Sequence, residues 1–136
     1  MKKPLFLLIL FSVMLSFNTT LNAQQKTDTT KKTKQAYQPI ALVAGMDSGV
    51  ISKEILLKAD SVTCTDKSLK IVHFTMTIMK NGSLIEMNNS NNVFTSEMIK
   101  NINELTSGSK VFFENIQVKF FDGSTRVLNS IILKLK

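Results

Sequence analysis

One cysteine, one histidine and no tryptophan occur among the 136 residues. A lone Cys64 cannot close an internal disulfide, so packing has to stabilise whatever folds, and only an intermolecular bond is open to the thiol. A zinc site needs more histidine and cysteine than the chain holds. His73 falls in a strand-like run where its expected neighbours, Thr75 and Thr77, are not acids, so a packed or surface imidazole is the reading. No glycine-rich phosphate loop is present, and Asp60, Asp66, Glu86, Glu97, Glu104 and Glu114 show no catalytic spacing. No catalytic, metal or cofactor residue is assigned, and the expectation is a protein that is not an enzyme. The methionines Met46, Met76, Met79, Met87 and Met98 are scattered, which suits core filling better than a soft-metal site.

A cluster of positive charge is lacking too, despite a formal net charge of +7. Lys2 and Lys3 precede an apolar run, and residues 24–38 hold four lysines against Asp28 alone. From Pro39 onward there are eleven Lys/Arg and nine Asp/Glu, a balance of +2. Nucleic-acid binding needs a concentrated basic patch, and the folded part offers none.

What is present begins with a leader. Lys2 and Lys3 supply a positive n-region, Leu5 to Phe17 is apolar but short for a bilayer span, and Leu21-Asn22-Ala23 offers a cleavage site. A signal peptide over residues 1–23 is expected, with no membrane span after its removal and a periplasmic or secreted product. Residues 24–38, rich in Thr, Lys and Gln without apolar periodicity, read as a solvated linker. The 98 residues from 39 to 136 suffice for one domain with a single core.

In that domain Ile40–Ala44 reads as a short strand. Ser52 is placed to cap a helix from about Lys53 to Ala59, with Ile51 and Leu56 as a hydrophobic staple; a strand over Ile51–Leu57 is the alternative. Val62–Thr65 and Leu69–Lys80 read as strands. In the longer one, Val72, Phe74, Met76 and Ile78 alternate onto a predicted core face, with Ile71, His73, Thr75 and Thr77 opposite. Asn81-Gly82 signals a hairpin into Ser83–Met87, followed by a polar loop at Asn88–Asn92. Thr95 should cap a helix from Ser96 to about Leu105, with Phe94 and Ile99 as its staple and Met98, Ile99, Ile102 and Leu105 as its apolar stripe.

The strands Lys110–Phe121 and Ser124–Leu135 flank Asp122-Gly123, a pairing suited to a type I′ turn. Val111 and Phe113 lie on one phase of the first strand, while Ile116, Val118 and Phe120 lie on the other. A β-bulge near Glu114-Asn115 would reconcile them. On the second strand Val127, Ile131, Leu133 and Leu135 alternate onto one face, with Leu128 and Ile132 on the other. Apolar residues on both sides require a cover on the second side: the Ser96–Leu105 helix, a second sheet or a partner.

Several of these segments, in order, resemble the C-terminal periplasmic domain of the gliding-motility protein GldM and its secretion counterpart PorM. Gly49-Val-Ile-Ser-Lys-Glu-Ile-Leu56 is similar to that family's Gly-x-Ile-Ser-Lys-x-x-Leu segment. Phe74-Thr-Met-Thr-Ile-Met-Lys-Asn-Gly82 resembles its central strand, and Phe94-Thr-Ser-Glu-Met98 its helix entry. Gly108-Ser-Lys-Val-Phe-Phe-Glu-Asn-Ile116, with Asp122-Gly123 and Arg126, resembles its terminal signature. This sequence has Asn115 where the family has Asp, and Phe121 where it has Pro. The larger family proteins carry an inner-membrane helix, a helical region and further periplasmic domains with no counterpart in this sequence. The resemblance implies an exported Bacteroidetes domain that meets another envelope protein.

The resulting expectation is an α+β, mainly β fold: a compact, predominantly antiparallel domain with one or two short helices. Its function would be non-enzymatic protein–protein interaction, accessory to type IX secretion or gliding, with an envelope or periplasmic protein as partner and a homo-oligomer also open. The candidate partner-binding residues are Phe112, Gln117, Lys119, Phe121, Arg126, Leu128 and Ile132, since aromatics and Arg are common interface anchors. An extracellular ligand-binding or adhesion module is the alternative, for which a concave aromatic-lined pocket would be diagnostic.

Overall fold

A computed structural model describes residues 37–136. The leader expected over residues 1–23 and nearly all of the expected linker lie outside the described residues. Ten elements follow in order: β1 (Ala41–Val43), β2 (Ser48–Ile51), α1 (Lys53–Ala59), β3 (Val62–Cys64), β4 (Lys70–Lys80), β5 (Ser83–Asn89), α2 (Ser96–Glu104), β6 (Lys110–Lys119), β7 (Thr125–Val127) and β8 (Ile131–Leu135). The architecture is α+β and mainly β. The main sheet runs β2-β8-β6-β4-β5, with β7 pairing β6 beyond the end of β8, while β1 and β3 form a separate antiparallel ribbon.

Local chemistry accounts for the helices. The Ser52 hydroxyl accepts from the Ile55 amide and the Thr95 hydroxyl from the Met98 amide, satisfying donors that a helix start leaves free. Leu56 on α1 and Met98 and Ile102 on α2 are buried. Lys53 Nζ donates to the Asn103 carbonyl at 2.9 Å, tying α1 to the end of α2. Phe94, just ahead of α2, stacks on Phe113 of β6 with centroids 5.5 Å apart, and Phe74 of β4 lies 6.1 Å from both rings. Both helices therefore pack on the sheet face that carries Phe74 and Phe113. Among the described residues, the buried apolar residues of the core run from Ala41 to Leu135.

The sheet changes phase along its length. From Lys80 down to Thr75, β4 pairs β5 and β6 without interruption. Then Thr75 pairs Glu114, His73 pairs Gln117 and Ile71 pairs Val118. Strand β6 thus carries an extra residue between Glu114 and Gln117, and β4 an extra one at Val72, so the register is restored beyond them. Asn115 sits in the bulge with φ of 50°, a left-handed conformation that asparagine tolerates better than most side chains. The expected bulge is there, and it turns both Val111/Phe113 and Ile116/Val118 inward.

The compensating bulge at Val72 was not anticipated, and it corrects one core assignment. Ile71 is buried whereas Val72 is only half-buried, because the extra residue reverses the alternation below Phe74. Other elements also differ from expectation. Strand β5 continues to Asn89 rather than ending at Met87. The Asp122-Gly123 turn is not type I′. The Gly123 amide donates to the Phe120 carbonyl, and of the loop residues Phe121, Asp122 and Gly123 only the glycine has positive φ. That is a three-residue loop with the glycine in the left-handed position.

The strand expected over Ser124–Leu135 is broken into β7 and β8, which leaves Val127 exposed rather than on the face of Ile131. Residues Leu128–Ser130 are where its phase shifts. Asn129 uses the break to tether β1: its Oδ1 accepts from the Ala41 amide at 2.7 Å and its Nδ2 donates to the Ala41 carbonyl at 3.3 Å. Because Ala41 is fully buried, Asn129→Ala should cost about 1–3 kcal/mol by leaving buried backbone groups unpaired. A urea midpoint indistinguishable from the parent's would show that the tether contributes nothing.

The sheet is mixed rather than wholly antiparallel. Strand β2 pairs β8 in parallel, from Ser48 opposite Ile132 to Ile51 opposite Leu135. Among the described residues no helix is long and apolar enough to cross a membrane.

Candidate functional site

The face of the sheet turned away from both helices can be reconstructed from the pairing. Across one level lie Val50, Lys134, Lys110, Met79 and Leu84; across the next lie Ser48, Ile132, Phe112, Thr77 and Glu86. The following level holds Glu114, Thr75 and Asn88. Residues paired across a ladder project to the same side, so these side chains form one surface. Val50, Met79, Leu84 and Ile132 are between 46 and 63 % exposed, and Phe112 is half-buried. Among the described residues, no helix or second sheet covers this face.

Its centre is ordered by polar contacts. Thr75 and Thr77 are buried despite pointing away from the core; they are short side chains paired with the larger Glu114 and Phe112. Thr75 Oγ1 donates to Asn88 Oδ1 at 2.7 Å, and Thr77 Oγ1 donates to Glu114 Oε2 at 3.4 Å. Lys110 and Lys134 stand at one level, with Glu114 two levels away along β6. The surface therefore sets Lys110 and Lys134 among Val50, Met79 and Leu84 at one level, with Glu86 beside Phe112 and Ile132 at the next and Glu114 at the third.

The seven candidate residues separate into three places. Phe112 and Ile132 are cross-strand partners on the open face, not beneath a helix. Gln117 and Lys119 share that side further down β6, paired with Val127 and Thr125. Phe121 is at the hairpin tip and 82 % exposed. Arg126 and Leu128 belong to the opposite side. Arg126 pairs Val118 and places its guanidinium 4.2 Å from the Phe120 ring centroid, a cation–π arrangement. Leu128 is half-buried against the core. A small hollow of about 210 Å³ runs past these two residues and Tyr37, Ile40 and Phe120. Sequence reading missed Val50, Met79 and Leu84 on the open face. The polar-side alternation of β4 and β5 already put Met79 and Leu84 out of phase with the core, but β2 was not recognised as a strand.

No protein-family model matches the chain, and no curated protein matches its sequence.

A larger hollow of about 750 Å³ opens beside β3, lined by Leu42, Val62, Cys64, Asp66, Leu69 and Ile71 among others, none of them aromatic. That composition differs from the aromatic-lined pocket expected of a ligand-binding module. Among the described residues, no three His, Cys, Asp or Glu side chains converge as metal ligands. The shifted carboxylates all lie off the open face. Hydrogen bonds from the Ser68 side chain and amide hold Asp66 below the usual carboxylate range, and Ser124 does the same for Asp122. Glu104 is lowered chiefly by its hydrogen bond from Lys80 and by that residue's charge.

Proposed function

We propose that this chain is an exported, non-enzymatic protein–protein interaction module of the envelope, accessory to type IX secretion or gliding machinery. The observation that supports it is the open sheet face, where Val50, Met79, Leu84, Ile132 and Phe112 share one surface that neither helix reaches. Large apolar surface gathered on one face is characteristic of interaction sites. The leader expected over residues 1–23 and the resemblance to the GldM/PorM C-terminal domain supply the compartment and the kind of partner.

The test is site-specific photo-crosslinking in the native envelope. A photoreactive residue at position 132, on the face, should yield adducts with a secretion or gliding component. The same group at position 121, on the hairpin tip, should yield few. Adducts at 132 with no such component would overturn the accessory role, and adducts only at 121 would move the contact to the tip.

A further inference from the structure

We infer that the outer edge of β5 is a docking site for an extended segment of a different protein, added as an antiparallel strand with a basic side chain at its centre. This goes beyond the open-face reading, because the edge is a separate surface and its contacts are made by main chain. Strand β5 ends the main sheet and pairs with β4 alone. Asn81 and Gly82, both with positive φ, form a two-residue loop between Lys80 and Ser83, and a hydrogen-bonded pair closes such a loop. Bonded and non-bonded pairs then alternate along the ladder. Ser83, Ile85, Met87 and Asn89 therefore turn their amides and carbonyls to β4, while Leu84, Glu86 and Asn88 turn theirs outward. Among the described residues, no main-chain hydrogen bond from outside the sheet reaches those three.

Natural sheets guard such edges with lysine, proline, a bulge or a very short strand. Strand β5 has none of these: it runs Ser83–Asn89 in unbroken register with β4, and Glu86 is its only charge. The opposite edge, β2, is four residues long and contains Gly49, which makes it a poorer template. A row of outward amides and carbonyls is complemented by another extended main chain, which defines the class of occupant. Flanking side chains define its sequence. On the open face the levels end in Leu84, Glu86 and Asn88, so the added strand should carry an apolar, a basic and a polar residue opposite them. Lys80, at the hairpin end of β4, is paired with Glu104 on α2 rather than with Glu86. The intervening positions face the helix side beside half-buried Ile85 and buried Met87, and should be apolar. A second copy of β5 does not fit: antiparallel pairing centred on Glu86 would set two carboxylates directly opposite one another.

Fluorescence anisotropy on the exported chain tests this with a labelled probe, Gly-Thr-Val-Lys-Val-Ile-Gly, blocked at both ends. It should bind with a Kd on the order of 100 µM. Replacing the probe's Lys with Glu should weaken binding at least about threefold, and Glu86→Lys in the protein should reverse that preference. Glu86→Pro removes an outward amide and leaves the β4 ladder intact, so it should abolish binding without changing the far-UV circular dichroism. Amide exchange followed by NMR reads the edge directly. With about 1 mM probe the Leu84, Glu86 and Asn88 amides should exchange about tenfold more slowly, while that of Val50 on β2 should be unchanged.

No saturable binding up to about 2 mM probe overturns the docking site. So does binding that a folded Glu86→Pro variant retains, or protection that appears on β2 instead of β5. If Glu86→Pro does not fold, the charge exchange and the amide protection decide the matter without it. The envelope crosslink from position 132 reports on the open face and is independent of these results, so either reading can fail while the other stands.

Discussion

Replacing Phe113 with alanine lowers stability by about 3–5 kcal/mol, the usual cost of truncating a buried aromatic. The ring is fully buried at the centre of β6 and joins Phe74 from β4 to Phe94 from the entry of α2. Its removal takes away contacts from both layers at once, and neither strand can close the gap because each is held by its ladder. A domain of this size has a net stability of about 5–15 kcal/mol, so the variant is left close to its unfolding threshold. At about 1–3 kcal/mol per molar, the urea midpoint should fall by roughly 2 M. Phe121→Ala is the matched control. That ring is 82 % exposed at the hairpin tip, and its loss should change stability by less than about 0.5 kcal/mol. Equal midpoints for the two variants would contradict the assignment of the core to the Phe113 side of the sheet.

Deleting Asn115 has a still larger effect. Without it, β6 alternates regularly, and either Val111 and Phe113 or Ile116 and Val118 must leave the core. Exposing two such side chains costs roughly 3–6 kcal/mol on transfer terms alone, before any loss from the mismatched ladder. The chain should be largely unfolded by circular dichroism. Deleting Val72 as well removes the compensating residue on β4 and leaves Ile71, His73 and Phe74 matched one for one against Val118, Gln117 and Ile116.

The β4–β6 ladder is then regular, and part of the lost stability should return. The β7–β8 side remains offset, because Leu128 pairs Ile116 in the same register that Ile131 keeps with Phe113. Recovery should therefore be partial, with a coupling between the two deletions of at least about 2 kcal/mol. A double deletion no more stable than the Asn115 deletion alone would show that the two bulges are independent.

Elements governed by neighbouring residues were legible. Ser52 and Thr95 announced both helix starts because an N-cap acts across three residues, and Asn81-Gly82 marked its hairpin because both positions need positive φ. The Asn115 bulge could be read for a different reason: β6 carries large apolar side chains on two phases, and period two cannot place both inside without an extra residue. Val72 gave no such sign. Ile71 and Val72 are both β-branched and apolar, and only the register against Val118 and Gln117 decides which one is buried.

Strand β2 was concealed by Gly49, which weakens a strand signal, and by its partner β8, some eighty residues away. The candidate surface was legible only in part. Phe112 and Ile132 fall together because they pair directly, whereas Arg126 and Leu128 go to the other side because the chain changes phase at Leu128–Ser130.

Composition and short-range pattern thus determined that this would be a β-rich α+β domain stabilised without internal cross-links, with capped helices and a bulged terminal strand. Those properties depend on backbone propensities and on apolar spacing within a few residues. Which sheet face the helices cover, which face stays open, and how Lys110, Phe112, Glu114 and Ile132 come to share it were decided by the tertiary structure. Strand pairing is non-local, and a one-residue change of register sends every side chain beyond it to the opposite face.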